Sequence, residues 1–264
     1  MKKKSTLLVV LFVVIFIFAF TFQSFACHAR AVGFYKDSSD VVHGFYCDLQ
    51  STISYTEIEI SGAYHVYCRG IDDVGHIVGE YVDSSGTHGF IYNFVSRTYT
   101  TVDYSGSDDY TRLFGIYNAS NIVGEYKDSN GDTHGLFYNG STFTTMDYPD
   151  ANFTRCHNIN SSGNIVGRWD NTNDIIYGFY NDETYYLTVL PACASNSTAL
   201  DINENGVICG GYTDSSDSNV YGYTYDGSTF TKIQVSATIT SQQANGINKN
   251  VYGPQLVGHY TNSS

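Results

Sequence analysis

Ile77-Val78-Gly79-Glu80-Tyr81 is followed by Asp83-Ser84-Ser85-Gly86 and then by His88-Gly89-Phe90. A β-branched run, a turn rich in Asp, Ser and Gly, and a second short run ending in an aromatic residue read as a β-hairpin. The same order recurs on both sides. Upstream, Ala31-Val32-Gly33-Phe34-Tyr35 leads through Asp37-Ser38-Ser39 to His43-Gly44-Phe45-Tyr46. Downstream, Ile122-Val123-Gly124-Glu125-Tyr126 leads through Asp128-Ser129-Asn130-Gly131 to His134-Gly135-Leu136-Phe137. Ile165-Val166-Gly167-Arg168-Trp169 then precedes Tyr177-Gly178-Phe179-Tyr180, and Ile208-Cys209-Gly210-Gly211-Tyr212 precedes Tyr221-Gly222-Tyr223. Leu256-Val257-Gly258-His259-Tyr260 is a sixth copy of the first strand. The shared glycines step by 46, 45, 43, 43 and 48 residues, the period of a propeller blade or comparable module.

Two more segments complete each unit. A third strand alternates over Thr98 to Tyr104 and Phe143 to Tyr148, with looser equivalents at Tyr55 to Ile60, Tyr185 to Leu190 and Phe230 to Val235. A short segment then closes the unit: Gly70-Ile71-Asp72, Gly115-Ile116-Tyr117, Asn158-Ile159-Asn160, Asp201-Ile202-Asn203 and Gly246-Ile247-Asn248. Units so counted run over about 31–76, 77–121, 122–164, 165–207 and 208–255, with a closing strand at 256–260, inside one repeat domain of residues 27–264. A four-stranded antiparallel sheet cannot bury both faces alone, whereas sheets stacked around an axis cover one another and leave short edges. The expected fold is all-β, a β-propeller of four-stranded antiparallel blades, with five blades favoured and six possible. A linear β-solenoid is the structural rival.

The composition agrees. The chain has 264 residues, 42% hydrophobic, with Tyr 24 and Phe 16 dominating the apolar set, and aromatic side chains suit pleated, half-buried surfaces. Lys2, Lys3 and Lys4 precede an apolar run from Thr6 to Phe22 and the small-x-small triplet Ser24-Phe25-Ala26, which reads as a signal peptide over residues 1–26. An uncleaved anchor and lipidation of Cys27 are the rival readings of that leader. Its loss removes three of 13 basic residues and leaves 10 against 26 acidic ones, a formal −16. Such a surface repels nucleic acid and anionic lipid, so neither nucleic-acid binding nor membrane insertion after signal cleavage is expected. The protein is therefore read as secreted or held at the cell surface, its oligomeric state open. Cysteines 27, 47, 68, 156, 193 and 209 all follow the leader, where disulfides persist, and the spacing selects no pairing among them.

The repeat resembles the extracellular family named for its His-Ala-Phe triplet, the HAF repeats, whose pattern runs roughly G-I-N-x-x-G-x-I-V-G-x-Y-x-D-x-x-G-x-x-H-G/A-F. Residues 71–90 carry it most fully, from Ile71-Asp72 through Gly75, Ile77-Val78-Gly79-Glu80-Tyr81, Asp83 and Gly86 to His88-Gly89-Phe90. Residues 159–179 and 202–223 carry it with Tyr177 and Tyr221 in place of the triplet histidine. The resemblance implies a secreted or surface protein of bacterial or archaeal type and brings no activity with it.

Candidate binding residues are the triplet positions His43, His88, His134, Tyr177 and Tyr221. Their recurrence at one repeat position favours packing beside the hairpin glycine over convergence on a shared ligand. Asp128, Asn130 and Asp132 alternate oxygen side chains as a calcium loop does, but the downstream bidentate glutamate is missing, and Asp and Asn are ordinary turn residues. No cofactor is implied beyond weak Ca2+ binding at such turns. Glu80 and Glu125, and likewise Asp103 and Asp147, also recur at equivalent positions, which argues for scaffold, since an active site breaks repeat symmetry. No catalytic residue is nominated, and no nucleophile elbow, zinc-protease helix or phosphate loop is present. The expected function is a non-enzymatic extracellular or surface β-propeller for ligand binding, with an extracellular protein or glycan as partner and tyrosines as stacking surface for sugar rings. A secreted glycan-active hydrolase or lyase on the same scaffold is the alternative. A structural component of a cell-surface layer is the third reading.

Overall fold

The computed structural model describes residues 30–48, 54–171, 173, 175–182, 186–234, 239–247 and 255–262. The expected leader and Cys27 lie outside them. Two compact units divide the chain: Met1–Ala31 with Tyr46–Thr56, and Val32–Phe45 with Glu57–Ser264. Every regular element among the described residues is a strand, and none of them forms a helix long and apolar enough to cross a membrane.

Strands β1 (Arg30–Lys36), β2 (Val42–Asp48) and β3 (Ser54–Glu57) form a three-stranded sheet. Strands β4 (His65–Ile71), β5 (His76–Val82), β6 (Thr87–Asn93) and β7 (Thr98–Thr101) form a four-stranded antiparallel meander. The meander repeats as β8 (Thr111–Asn118) through β9 (Asn121–Lys127), β10 (Thr133–Tyr138) and β11 (Phe143–Thr145). It repeats again as β12 (Phe153–Ile159), β13 (Ile165–Asp170), β14 (Ile176–Asn181) and β15 (Tyr186–Val189). The last full copy is β16 (Ala194–Ile202), β17 (Ile208–Asp214), β18 (Val220–Tyr225) and β19 (Phe230–Ile233), followed by the hairpin β20 (Ile239–Ile247) and β21 (Leu256–Asn262).

The sheets are one strand out of phase with the repeat as counted along the chain. The G-I-N segment pairs forward with the next I-V-G strand, as Ile71 with Ile77, Ile116 with Ile122, Ile159 with Ile165 and Ile202 with Ile208. The turn between them is closed by the segment's own Asp or Asn: Asp72 Oδ1 accepts the amides of Val74, Gly75 and His76, and Asn160 and Asn203 repeat this. Third strands are shorter than the alternation predicts. After Val102, the Asp103 carboxylate accepts the Gly89 amide at 3.1 Å in place of a backbone carbonyl, and Asp147 does the same for Gly135.

Two glycines of the repeat are dictated by close approach. Strands β4, β8, β12 and β16 each carry a bulge, as between Cys68 and Gly70 or between Leu113 and Gly115. The bulge drives the carbonyls of Tyr67, Arg112, Arg155 and Thr198 onto the spaces a Cβ would need at Gly79, Gly124, Gly167 and Gly210. The triplet glycine serves the contact between sheets. A Cβ on Gly44 would meet Cys68 Sγ at 2.7 Å, one on Gly89 Leu113 Cγ at 3.0 Å, and one on Gly135 Cys156 Sγ at 3.0 Å. Consecutive sheets therefore share cores. Val78 and Val102 pack with Leu113, Ile116, Ile122 and Leu136, and Val166 and Val189 with Ala199, Ile202, Ile208 and Tyr223. This is the mutual coverage that a thin sheet lacks on its own.

The cysteines correct the expectation of a disulfide framework. Cys47, Cys68, Cys156, Cys193 and Cys209 are all free thiols. Cys68 and Cys156 take the buried first-strand position that Leu113 and Ala199 fill in other sheets, so they serve as small apolar residues. Burial pushes the Cys68 thiol up to about 12, and Cys156 and Cys209 higher still.

Candidate functional site

The triplet histidines sit inside clamps built by their own sheet. His88 Nδ1 lies 2.7 Å from Asp103 Oδ2, its Nε2 lies 3.0 Å from Ser85 Oγ and 3.2 Å from Asp83 Oδ1, and its ring packs 5.0 Å from Tyr81. His134 lies between Asp147 at 2.8 Å and Asp128 at 3.7 Å, stacked on Tyr126. His43 lies between Asp37 at 3.2 Å and Glu57 at 3.5 Å, stacked on Tyr35. Tyr177 takes the position against Trp169, and Tyr221 packs beside Tyr212, donates to Asp217 at 2.6 Å and carries Lys232 over its face. These five residues stand on five successive strands of the repeat, β2, β6, β10, β14 and β18, and in the three histidines both ring nitrogens face groups of the same repeat. The clamp shifts protonation. Burial opposes a charge on His88, but the Asp103 and Asp83 carboxylates prevail and raise its pKa. The His43 bond lowers Asp37, and the Ser85 bonds lower Asp83.

Asp128, Asn130 and Asp132 form a self-capped turn. Asp128 Oδ1 accepts the amides of Asn130 and Asp132, and Asn130 Nδ2 donates to Asp128 Oδ2 at 3.1 Å. Gly131 supplies the left-handed residue at φ 86°. Among the described residues no group of three His, Cys, Asp or Glu side chains is placed to hold a metal ion.

The clamp changes in the first sheet, and a cleft opens there. By repeat position Glu59 corresponds to Asp103 and Asp147, because the preceding residue in each case donates its amide to the triplet glycine. His43 instead uses Glu57, which also accepts the Tyr35 hydroxyl at 2.5 Å. Glu59 has no hydrogen-bond or ion-pair partner among the described residues. It lines a cavity of about 560 Å³ together with His43, Glu57, Tyr64 and Tyr99. Tyr64 is 56% exposed and Tyr99 38%, so both rings are open to a ligand. Aromatic faces beside an uncommitted acceptor, in a cleft of this size, can hold a small polyhydroxylated molecule.

A second arrangement runs along the first and second strands. Glu80 and Glu125, each with a side chain only 1% exposed, are bracketed by arginines. Glu80 Oε1 receives Arg69 Nη2 at 2.6 Å and Arg112 Nη2 at 2.8 Å. Glu125 receives Arg155 through Nε at 2.5 Å and Nη2 at 3.0 Å, Arg112 Nη1 at 3.2 Å, and the Tyr110 hydroxyl at 3.3 Å. Phe114 lies 5.1–5.8 Å from the guanidinium carbons of Arg69, Arg112 and Arg155. Each glutamate thus reaches the first-strand arginine of the next sheet, a ladder that the recurrence of Glu80 and Glu125 foreshadowed. Sequence reasoning passed over the arginines, although Arg112 and Arg155 stand one repeat step apart. Tyr64 and Tyr99 carry no such signal.

No protein-family model matches the chain, and no curated protein does. Among solved structures, the chain is similar to the fucose-specific lectin from Aleuria aurantia, with a TM-score of 0.53, 12% identity, and coverage of 90% of this chain and 85% of that one. It is similar to the same degree, TM-score 0.53 at 11% identity over 89% and 86%, to a structure of a nidogen/laminin complex. A further structure of the Aleuria aurantia lectin is described as having a six-bladed β-propeller fold, at TM-score 0.47, 14% identity and coverage of 90% and 89%. What is shared at this identity is the fold. The chain is an all-β protein of repeated antiparallel sheets.

Proposed function

We propose that the protein is a non-enzymatic, glycan-binding β-propeller that works outside the cell, secreted or held at its surface, with its five repeat units as blades of the HAF type. The observation that carries this reading is the cleft between Tyr64 and Tyr99, where Glu59 is left uncommitted while its counterparts Asp103 and Asp147 are spent on histidines. Sugars present an apolar C–H face to an aromatic ring and hydroxyls to a carboxylate, and both complements meet here. The likeness to a fucose-specific lectin supports the same class of ligand. Glu57 is tied to Tyr35 and His43, so the cleft offers one free carboxylate where glycoside hydrolysis uses a pair, which favours binding over the hydrolase reading.

A glycan array probed with the purified chain, with and without calcium, tests this. Retention of at least one neutral glycan, lost in Glu59→Gln and Tyr64→Ala and unchanged by chelation, supports the reading. No retained glycan, or retention indifferent to both substitutions, rejects it. Loss on chelation would move the site to the Asp-rich turns.

A further inference from the structure

The ladder breaks at its third rung, where buried polar atoms find no hydrogen-bond partner among the described residues. Arg168 occupies on β13 the position of Glu80 on β5 and Glu125 on β9. Its opposite residue on β12 is Arg155, so two guanidiniums stand across one antiparallel pair, where like charges oppose each other. On the next sheet, the position that supplies Arg112 to Glu80 and Arg155 to Glu125 is Thr198. It cannot complete the rung by charge.

Three buried polar atoms mark the break. Among the described residues, Arg168 Nε, Thr198 Oγ1 and His157 Nε2 have no hydrogen-bond partner. His157 lies one bulged residue beyond the Arg155–Arg168 rung and stacks on Phe114. Unsatisfied buried donors are rare because each forfeits its hydration without return, about 1–3 kcal/mol apiece. The surrounding charge is positive. Arg69, Arg112, Arg155 and Arg168 face Glu80 and Glu125, with Asp170 farther along β13 as the remaining carboxylate near Arg168. Burial depresses the pKa of Arg168, and Arg155 adds to the depression. Burial, then Arg155 and Arg168, hold His157 neutral. Arg168, Thr198 and His157 each retain partial solvent exposure, while the three orphaned atoms themselves are buried.

We propose that this third rung is a binding site for an external carboxylate, which takes the place that Glu80 and Glu125 fill in the two preceding sheets. Arg168 supplies the charge-assisted contact, Thr198 Oγ1 and His157 Nε2 supply neutral donors when each carries its proton toward the ligand, and Phe153 backs the guanidinium at 5.3 Å. The site stands apart from the Glu59 cleft, whose carboxylates would repel the same ligand.

The test uses the full chain at low ionic strength, with D-glucuronate, acetate, sulfate and D-glucose as probes, read by calorimetry and by the ligand-induced shift of Tm. Glucuronate and acetate should bind and raise Tm, and D-glucose should not. Arg168→Gln should weaken both carboxylates at least tenfold. Arg168→Glu should abolish their binding and raise the Tm of the unliganded protein, because an internal carboxylate then completes the rung. Arg97→Gln and Glu59→Gln should leave carboxylate binding unchanged. Glucuronate at least tenfold tighter than acetate assigns the ligand to an acidic sugar, and equal affinities assign it to a small carboxylic acid. Equal carboxylate binding in wild type and Arg168→Gln, no carboxylate binding at all, or sulfate bound more tightly than either carboxylate overturns the proposal. Loss of neutral-glycan binding in Glu59→Gln with carboxylate binding retained keeps the two sites distinct.

Discussion

Arg112 Nη2 lies 2.8 Å from Glu80 Oε1 although Arg112 begins one sheet and Glu80 stands on the second strand of the sheet before it. The same guanidinium reaches Glu125 through Nη1 at 3.2 Å, so one arginine joins two buried carboxylates across a sheet boundary. The contact between these sheets is therefore apolar at Gly89 and Leu113 and ionic at the ladder. Burial works against the charge of Arg112, but the Glu80 carboxylate holds its pKa up.

Replacing Arg112 by Ala leaves both glutamates in their apolar setting with one arginine fewer each. The expected loss is about 3 kcal/mol in urea unfolding, since removing one partner of a buried pair strands the other. Arg97→Ala, on an exposed loop, should change stability by less than about 0.5 kcal/mol.

Gly79→Ala and Gly222→Ala separate the two reasons for glycine. At Gly79 the new methyl would collide with the Tyr67 carbonyl, whereas at Gly222 its nearest neighbour is Ala244 N at 3.3 Å. Urea titration should show Gly79→Ala destabilised by about 3 kcal/mol or failing to fold, and Gly222→Ala by under about 1 kcal/mol.

The His88 clamp gives stability a pH dependence of definite sign. Its folded pKa lies above the unfolded value of 6.5, so the protonated ring favours the folded state. That contribution is complete below pH 6.5 and fades as pH rises through the raised folded pKa. Asp83 and Asp37, whose pKa values are lowered, act oppositely, and their contribution is lost on acidification below the ordinary carboxylate range. Thermal unfolding should show a small decline on the alkaline side of neutrality, absent in His88→Tyr. An NMR titration placing His88 below 6.5 would reverse the sign.

The thiols should divide by burial. Iodoacetamide should label Cys193 in the native protein within minutes, while Cys68, Cys156 and Cys209 should react only on unfolding, as peptide mass spectrometry would report.

In the cleft, Tyr64→Ala should weaken glycan binding about tenfold, the loss of one stacking face. Glu59→Gln should weaken it by a similar factor while leaving Tm unchanged, because Glu59 holds nothing else. Glu57→Gln should lower Tm, since Glu57 anchors Tyr35 and His43.

The hairpin order and the all-strand character could be read from the chain, because turn chemistry and β-propensity act between residues close in sequence. The recurrence of His43, His88 and His134 at one repeat position, with Tyr177 and Tyr221 in the same place, was also legible. Four things lay beyond that reach: the pairing of Ile71 with Ile77 across the counted unit boundary, the bulge that makes Gly79 obligatory, the packing of Cys68 on Gly44, and the cleft joining Glu59 to Tyr99. Each is set by which strand stacks on which, and that choice is made by burial summed over two sheets. The ladder shows the division most plainly. Glu80, Glu125 and Arg168 occupy one column of the repeat in the sequence, but only the neighbouring sheet decides that the first two charges are answered and the third is not.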